Sequence, residues 1–236
     1  MPRGRGCAHR GQYMSKLIAI DGLDGSGKGT QTAILCDWLR ERGFRVKELS
    51  FPCYGTKGAV PVEAYLHGEL GSDPEDTSAY AASTFFAVDR YVSYRTDWIS
   101  DVKDENTVIV CNRYTTANAV HQLSKLPKDM WEPFLAWLWD FEFEKLGLPK
   151  PDLVLYLALP PKLSMQLVDH RAKETGAVKD IHELSKDHLE KSYEAAMYAA
   201  DRLGWKTVRC HREDEIRAID DIASEIRTLV APVLKL

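Results

Sequence analysis

Apolar residues follow two alternating rhythms along this chain. Short, uninterrupted apolar runs ending near glycine or proline alternate with longer stretches in which apolar residues recur every three or four positions. Residues 16–21 (KLIAID), 46–51, 107–111 (TVIVC), 152–159 (DLVLYLAL) and 206–210 are of the first kind and predict strands. Residues 30–42 are of the second kind, with Ile34, Leu35, Trp38 and Leu39 at helical spacing and Gly43 as a stop signal. The same pattern predicts helices over 62–66, 76–100, 127–146, 161–170, 183–203 and 213–230. The strands are continuously apolar instead of alternating, which indicates a parallel sheet covered on both faces. The expected architecture is therefore α/β, a three-layer fold with a five-stranded parallel sheet and helices on both faces. A single domain over 15–236 follows, preceded by a disordered leader over 1–14. That leader is basic and glycine-rich but has no apolar stretch behind it, so it does not make a secretory signal. The polar segment 173–179 (KETGAVK) lies between two predicted helices as a surface loop or a short lid, the lid covering about 171–183.

Composition narrows the classes of function. A chain of 236 residues forms one large domain or at most two small ones. The formal net charge of -4 argues against a nucleic-acid partner, which requires a basic field. Local arginines still permit a small anionic substrate. No apolar run is long enough to cross a membrane. Cys7, Cys36, Cys53, Cys111 and Cys210 are odd in number and irregular in spacing, as expected of thiols in the reducing cytoplasm. No pair of them has zinc-ligand spacing, and the histidines do not cluster with them.

The strongest chemical signal is Gly22-Leu23-Asp24-Gly25-Ser26-Gly27-Lys28-Gly29-Thr30, placed between a predicted strand and a predicted helix. Glycines let such a loop turn its backbone N–H groups inward onto phosphate oxygens, and the helix N-terminus adds partial positive charge. Gly22, Gly25, Ser26, Gly27, Lys28, Gly29 and Thr30 are thus candidates for holding ATP, with Lys28 reaching the β- and γ-phosphates. The plainer alternative is a glycine-rich turn with a chance lysine. Gly29 stands where a hydroxyl residue normally ligates Mg²⁺. Lys-Gly-Thr at this place resembles adenylate kinases and favours a small-molecule kinase. No Asn-Lys-x-Asp guanine-reading motif occurs.

Downstream motifs narrow the class further. FPCYG (51–55), LHGELG (66–71), FFAVDR (85–90), VIVCNRY (108–114), TTANAVHQ (115–122) and GLPKPDLVLYLAL (147–159) resemble thymidylate kinases in order, spacing and content. The likeness runs from about residue 16 to the last helix. It implies a phosphate-loop nucleotide kinase moving a phosphoryl group from ATP to dTMP. It further implies that Phe86 stacks on thymine, Arg90 donates to O4, Asn118 bonds the N3 edge and Arg113 holds the dTMP phosphate. Asp24 would sit near the sugar 3′-OH and the metal, and Phe51 and Tyr54 would line the acceptor pocket. His121 stands in place of an aromatic residue that crowds the sugar 2′ position. Cys53 and Asn112 also depart from the pattern, replacing an arginine and an aspartate.

Each residue has a plainer reading. Phe86 could be a core residue, Arg90 a salt-bridged helix residue and Arg113 the partner of a surface carboxylate. No arginine lies in the phosphate loop, so the lid should supply the catalytic one. Arg171 is the candidate, with Lys173 and Lys179 as basic support. Its plainer role is a cation at a helix C-terminus. His211 and Arg212 would border the adenine. Mg²⁺ would be held by ATP phosphates and water, with Asp24 as the protein carboxylate. Relatives pair through helices, and the apolar surfaces of helices 76–100 and 127–146, the latter with Trp131, Phe134, Trp137 and Phe141, suggest a homodimer. The competing readings are a kinase for another deoxynucleotide or a deoxynucleoside, and a degenerate nucleotide-binding homologue.

Overall fold

A computed structural model describes residues 14–175, 181–184 and 186–236. Residues 1–13 of the expected leader, residues 176–180, which include Lys179, and residue 185 lie outside the described residues. Five strands form one parallel sheet: β1 (Lys16–Gly22), β2 (Arg45–Ser50), β3 (Thr107–Asn112), β4 (Leu153–Ala158) and β5 (Lys206–Arg209). Their order is β2-β3-β1-β4-β5, so β1 is central, with Ile18 in register with Val110 on one side and Leu153 on the other.

Two-sided burial explains the continuous apolar runs. Leu17, Ala19, Ile109, Cys111, Val154 and Tyr156 pack into one core. Ile18, Ile20, Val108, Val110, Leu155 and Leu157 pack into another on the opposite face. Each fully buried leucine or isoleucine contributes about 1.5–3 kcal/mol relative to exposure, so a charge on either side of β1 would be costly. Helices α1 (Lys28–Glu41) and α9 (Ile219–Leu234) cover the second face. Helices α3 (Ala79–Ser93), α4 (Thr116–His121), α5 (Trp131–Trp139) and α8 (Lys186–Leu203) cover the first. Helix α2 (Val60–Leu66) packs with α3 and with Ile181 of α7 (Ile181–Leu184) in a smaller core. Helix α6 spans Pro161–Thr175. A short hairpin, β6 (His211–Arg212) with β7 (Glu215–Ile216), precedes α9.

Several predicted helices divide where a local bond outcompetes the periodic pattern. The stretch 76–100 begins only at Ser78, whose hydroxyl caps the helix by accepting from Ala81 N. It then widens into a π-type turn over Tyr94–Trp98. The stretch 127–146 begins at Trp131 and widens in the same way over Asp140–Lys145. The stretch 213–230 gives its start to the hairpin, because Arg217 N donates to Cys210 O and folds the chain back. Helix 161–170 runs five residues further, through Thr175, so the first part of the expected lid is helical.

Candidate active site

The carboxyl end of β1 runs into the phosphate loop, and α1 starts at its far side. Gly27 takes a left-handed φ of 86° as the N-cap, and Gln31 N donates to its carbonyl oxygen at 3.0 Å. Gly25 also has a left-handed φ, and a Cβ there would lie 2.4 Å from the Ser164 carbonyl oxygen. Only glycine fits that approach. Gly29 is different, since a Cβ there would meet nothing within 4 Å. Its missing hydroxyl is therefore a chemical feature and is not imposed by packing. Ser26 Oγ is buried without a hydrogen-bond partner, and Thr30 is exposed.

Lys28 is buried. Its Nζ donates to Leu23 O at 2.7 Å and lies 3.7 Å from Asp24 Oδ1. Arg113, one residue beyond β3, adopts a left-handed φ of 67°, and its N–H donates to Ile20 O at 2.9 Å. That backbone pin aims its guanidinium at the loop, where Nη2 donates to Asp24 Oδ1 and Nη1 lies 3.0 Å from His121 Nε2. Asp24 thus bridges the lysine of the loop and the arginine beyond β3. Burial alone would raise its pKa, but the charges of Arg113 and Lys28 outweigh it and hold the carboxyl well below the usual range. The surface-carboxylate alternative for Arg113 does not hold, since its partner belongs to the loop.

Beside this junction opens a cavity of about 510 Å³ of empty volume, open to solvent. Asp24, Phe51, Tyr54, Phe86, Arg90, Arg113, Asn118 and His121 all line it. The structure therefore brings together every acceptor-site residue expected from the sequence. Phe86 also packs edge-on against Tyr65, with ring centroids 6.1 Å apart, so it serves the small core and the cavity wall at once. Cys53 and Asn112 lie outside the wall. The Cys53 N–H donates to Asp89, and Asn112 Nδ2 donates to Ser50 Oγ.

Three further residues were not singled out from the sequence. Glu142 is fully buried beneath the cavity and accepts from Arg90 Nε at 2.7 Å and Arg90 Nη2 at 2.6 Å. It also accepts from Asn118 Nδ2 at 3.0 Å and Thr115 Oγ1 at 2.7 Å. The salt-bridge reading of Arg90 is thus realised, and the bridge fixes the guanidinium at the cavity. An acid between Phe141 and Phe143 was the sequence signal for Glu142. Gln122 lines the cavity with both amide atoms buried and unpartnered. His182 of α7 also lines it, so the last part of the segment expected as a lid reaches the cavity wall. Arg171 lies on α6 but its side chain is outside the described residues. His211 and Arg212 sit in the solvent-facing hairpin before α9.

Residues 20–219 match the family model described as thymidylate kinase. The chain belongs to the thymidylate kinase family. It is 35% identical over 185 residues to the thymidylate kinase of Mycobacterium tuberculosis strain H37Rv, covering 78% of this chain and 84% of that one. It is 29% identical over 227 residues to the human thymidylate kinase, covering 90% and 88% of the two chains. The solved thymidylate kinase of Candida albicans superposes with a TM-score of 0.66 at 22% identity, covering 93% and 92%, a likeness of fold. In this thymidylate kinase family member the phosphate loop and the arginine-lined cavity meet at Asp24. Among the described residues no helix is long and apolar enough to cross a membrane.

Proposed function

We propose that this enzyme transfers the γ-phosphoryl group of ATP to dTMP. The observation that carries the reading is the junction of Lys28, Asp24 and Arg113 between the phosphate loop and a base-sized cavity. A dTMP phosphate oxygen is already anionic, so the reaction needs no general base, only alignment and charge neutralisation. On binding, the donor phosphates displace Lys28 Nζ from Leu23 O, and the acceptor phosphate takes Arg113 from Asp24. Arginine suits that second role because its planar fork bonds two phosphate oxygens at once. Phe86 offers a ring face to the base, and Arg90 and Asn118, both anchored on Glu142, offer donors to its edge.

Mg²⁺ fits the residues present. Asp24 is an ionised oxygen donor at the junction, and Gly29 contributes none, leaving the remaining positions to phosphates and water. When bound, the ion adds neutralising charge at the transferred phosphate. The catalytic arginine of the lid is assigned to Arg171. A single domain, with the lid spanning the end of α6 and α7, accommodates this division of labour. A degenerate homologue is disfavoured by the retention of Lys28, Arg90, Arg113 and Asn118, a set that a chain freed from catalysis would have little reason to hold.

The experiment is turnover with ATP, with and without Mg²⁺, against a panel of monophosphates. Uracil lacks only the thymine methyl, worth about 0.8 kcal/mol when buried, so kcat/KM for dUMP should fall about fourfold. Cytosine reverses the donor and acceptor pattern of the edge, so dCMP should fall much further. Equal use of dCMP and dTMP would show that Arg90 and Asn118 do not read the base.

A homodimer in the cytoplasm completes the proposal. Burial lifts the thiols of Cys36 and Cys210 to about 12, and Cys36, Cys53, Cys111 and Cys210 are unpaired, which suits a reducing compartment. Of the aromatic side chains expected to pair, Trp131 and Phe134 are packed into the core, while Trp137 and Phe141 stay half-buried. Helix α3, the other helix expected to pair, leaves Val88 and Tyr91 exposed. A two-fold contact there should give twice the 26.7 kDa chain mass in light scattering at micromolar concentration, and a monomer would refute it.

A further inference from the structure

His121 ends α4, His182 lies in α7 and His188 lies in the first turns of α8. All three are buried, and their ligand nitrogens lie within 4.8 Å of one another. The rings form a stack, with centroids 5.0 Å apart for His121 and His182 and 4.5 Å for His182 and His188. The first histidine is far from the other two in sequence, so no spacing motif announces the cluster. Packing three imidazoles together in an interior has no structural need, since apolar side chains of similar volume would fill the space without desolvating polar atoms.

We propose that His121, His182 and His188 form a binding site for a divalent transition ion of the zinc class, with three imidazole ligands and an open fourth position. Imidazole suits zinc, cobalt, nickel and copper and is a poor ligand for Mg²⁺, so this site is separate from the ion bound to ATP. A ligating histidine needs one ring nitrogen for the metal and a partner on the other. Here His182 Nε2 meets Tyr65 Oη at 2.8 Å and His188 Nε2 lies 3.4 Å from Ser192 Oγ, whereas His121 Nε2 accepts from Arg113 Nη1, which must turn away for that ring to bind a metal. Because a guanidinium only donates, the neutral His121 ring carries its hydrogen on Nδ1, which is buried with no hydrogen-bond partner. Burial pushes all three histidines below their usual pKa, His188 to about 4, so each is neutral at physiological pH. Ligand nitrogens around a tetrahedral ion stand about 3.4 Å apart, given metal–nitrogen bonds near 2.0–2.1 Å, so the rings must turn and close by about 1.4 Å. Arg113 and Lys125 oppose an incoming cation, and the carboxylate of Asp24 offsets part of that repulsion. Since His121 and His182 line the acceptor cavity, a bound ion would tie α7 and α8 to α4 through its wall.

The test is equilibrium dialysis of the chelator-treated full chain against Zn²⁺ in excess Mg²⁺, with His188→Gln in parallel because His188 is not in the cavity wall. One equivalent is expected for the wild-type protein, with affinity at least about 100-fold weaker in the variant. No stoichiometric binding, or equal binding by a folded variant, would overturn the proposal. X-ray absorption on the Zn²⁺-loaded wild-type protein removes dependence on the variant's folding. A shell with three imidazoles supports the site, and a shell with cysteine sulfur refutes it.

Discussion

Replacing Glu142 with alanine should lower the stability of the protein by about 3–5 kcal/mol and largely abolish dTMP use, because a buried cation would lose its counter-charge. Arg90 is 1% exposed, and its guanidinium meets Glu142 through both Nε and Nη2. Without the carboxylate, Arg90 must either stay buried and unpaired or swing out of the wall. Asn118 and Thr115 would lose the same acceptor, so the whole base-reading edge would loosen together. Glu142→Gln separates the effects. Its amide keeps the volume and one acceptor oxygen but turns the other toward Arg90 as a donor, so folding should survive better than recognition. In that variant KM for dTMP should rise on the order of tenfold or more while KM for ATP changes little, since the phosphate loop is untouched. Thermal unfolding of both variants and steady-state kinetics of the glutamine variant check this. An unchanged KM for dTMP in the glutamine variant would show that Glu142 supports the core alone.

Much of this was legible in the sequence, and the exceptions share a cause. Strands β1, β3 and β4 stood out because both faces of each are buried, leaving no polar position to blur the run. The phosphate loop and most cavity residues lie at strand ends or share one helix, as Phe86 and Arg90 share α3, so local order fixes their position. Arg113 follows β3 directly, and Asn118 and His121 share one helix. Glu142 could not be read in this way. Its role depends on Arg90 and Thr115 reaching it from other elements, and a lone acid among aromatics looks the same on an exposed helix. His182 was hidden for a similar reason, because a lid segment gives no sign of which substrate side it meets. The divided helices were missed because hydrophobic period does not distinguish an α-turn from the wider turns at Tyr94–Trp98 and Asp140–Lys145.

Lys28→Ala should lower kcat by about 10²–10³ with the fold retained, since Lys28 is the cation built into the loop itself. Its ammonium donates to the Leu23 carbonyl and neighbours Asp24, both part of the same loop. Both of these partners lie in the loop, so its loss should fall on the loop and leave the sheet and cavity intact. KM for dTMP should change little, because Arg113 and the Glu142-anchored pair remain. Arginine is not expected to rescue, since its rigid planar fork does not reproduce a compact ammonium in a cradle closed at Gly25. A change in Asp24 ionisation does not offer another explanation for the lost rate. Burial raises its pKa, but Arg113 and then Lys28 hold it down, so removing Lys28 raises it while Arg113 still opposes the rise. A depressed carboxyl stabilises the fold above its unfolded pKa and loses that contribution as pH falls through the folded value. Both proteins therefore keep Asp24 ionised at neutral pH, and any difference in acid stability should be confined to pH below about 4. The kcat ratio of the two proteins should then be flat between about pH 6 and 8, with matching circular dichroism. Near-normal turnover in the folded variant would remove the phosphate loop from the mechanism. A ratio that changes steeply with pH over that range would mean that Lys28 acts by tuning a titrating group and not by carrying charge to the phosphates.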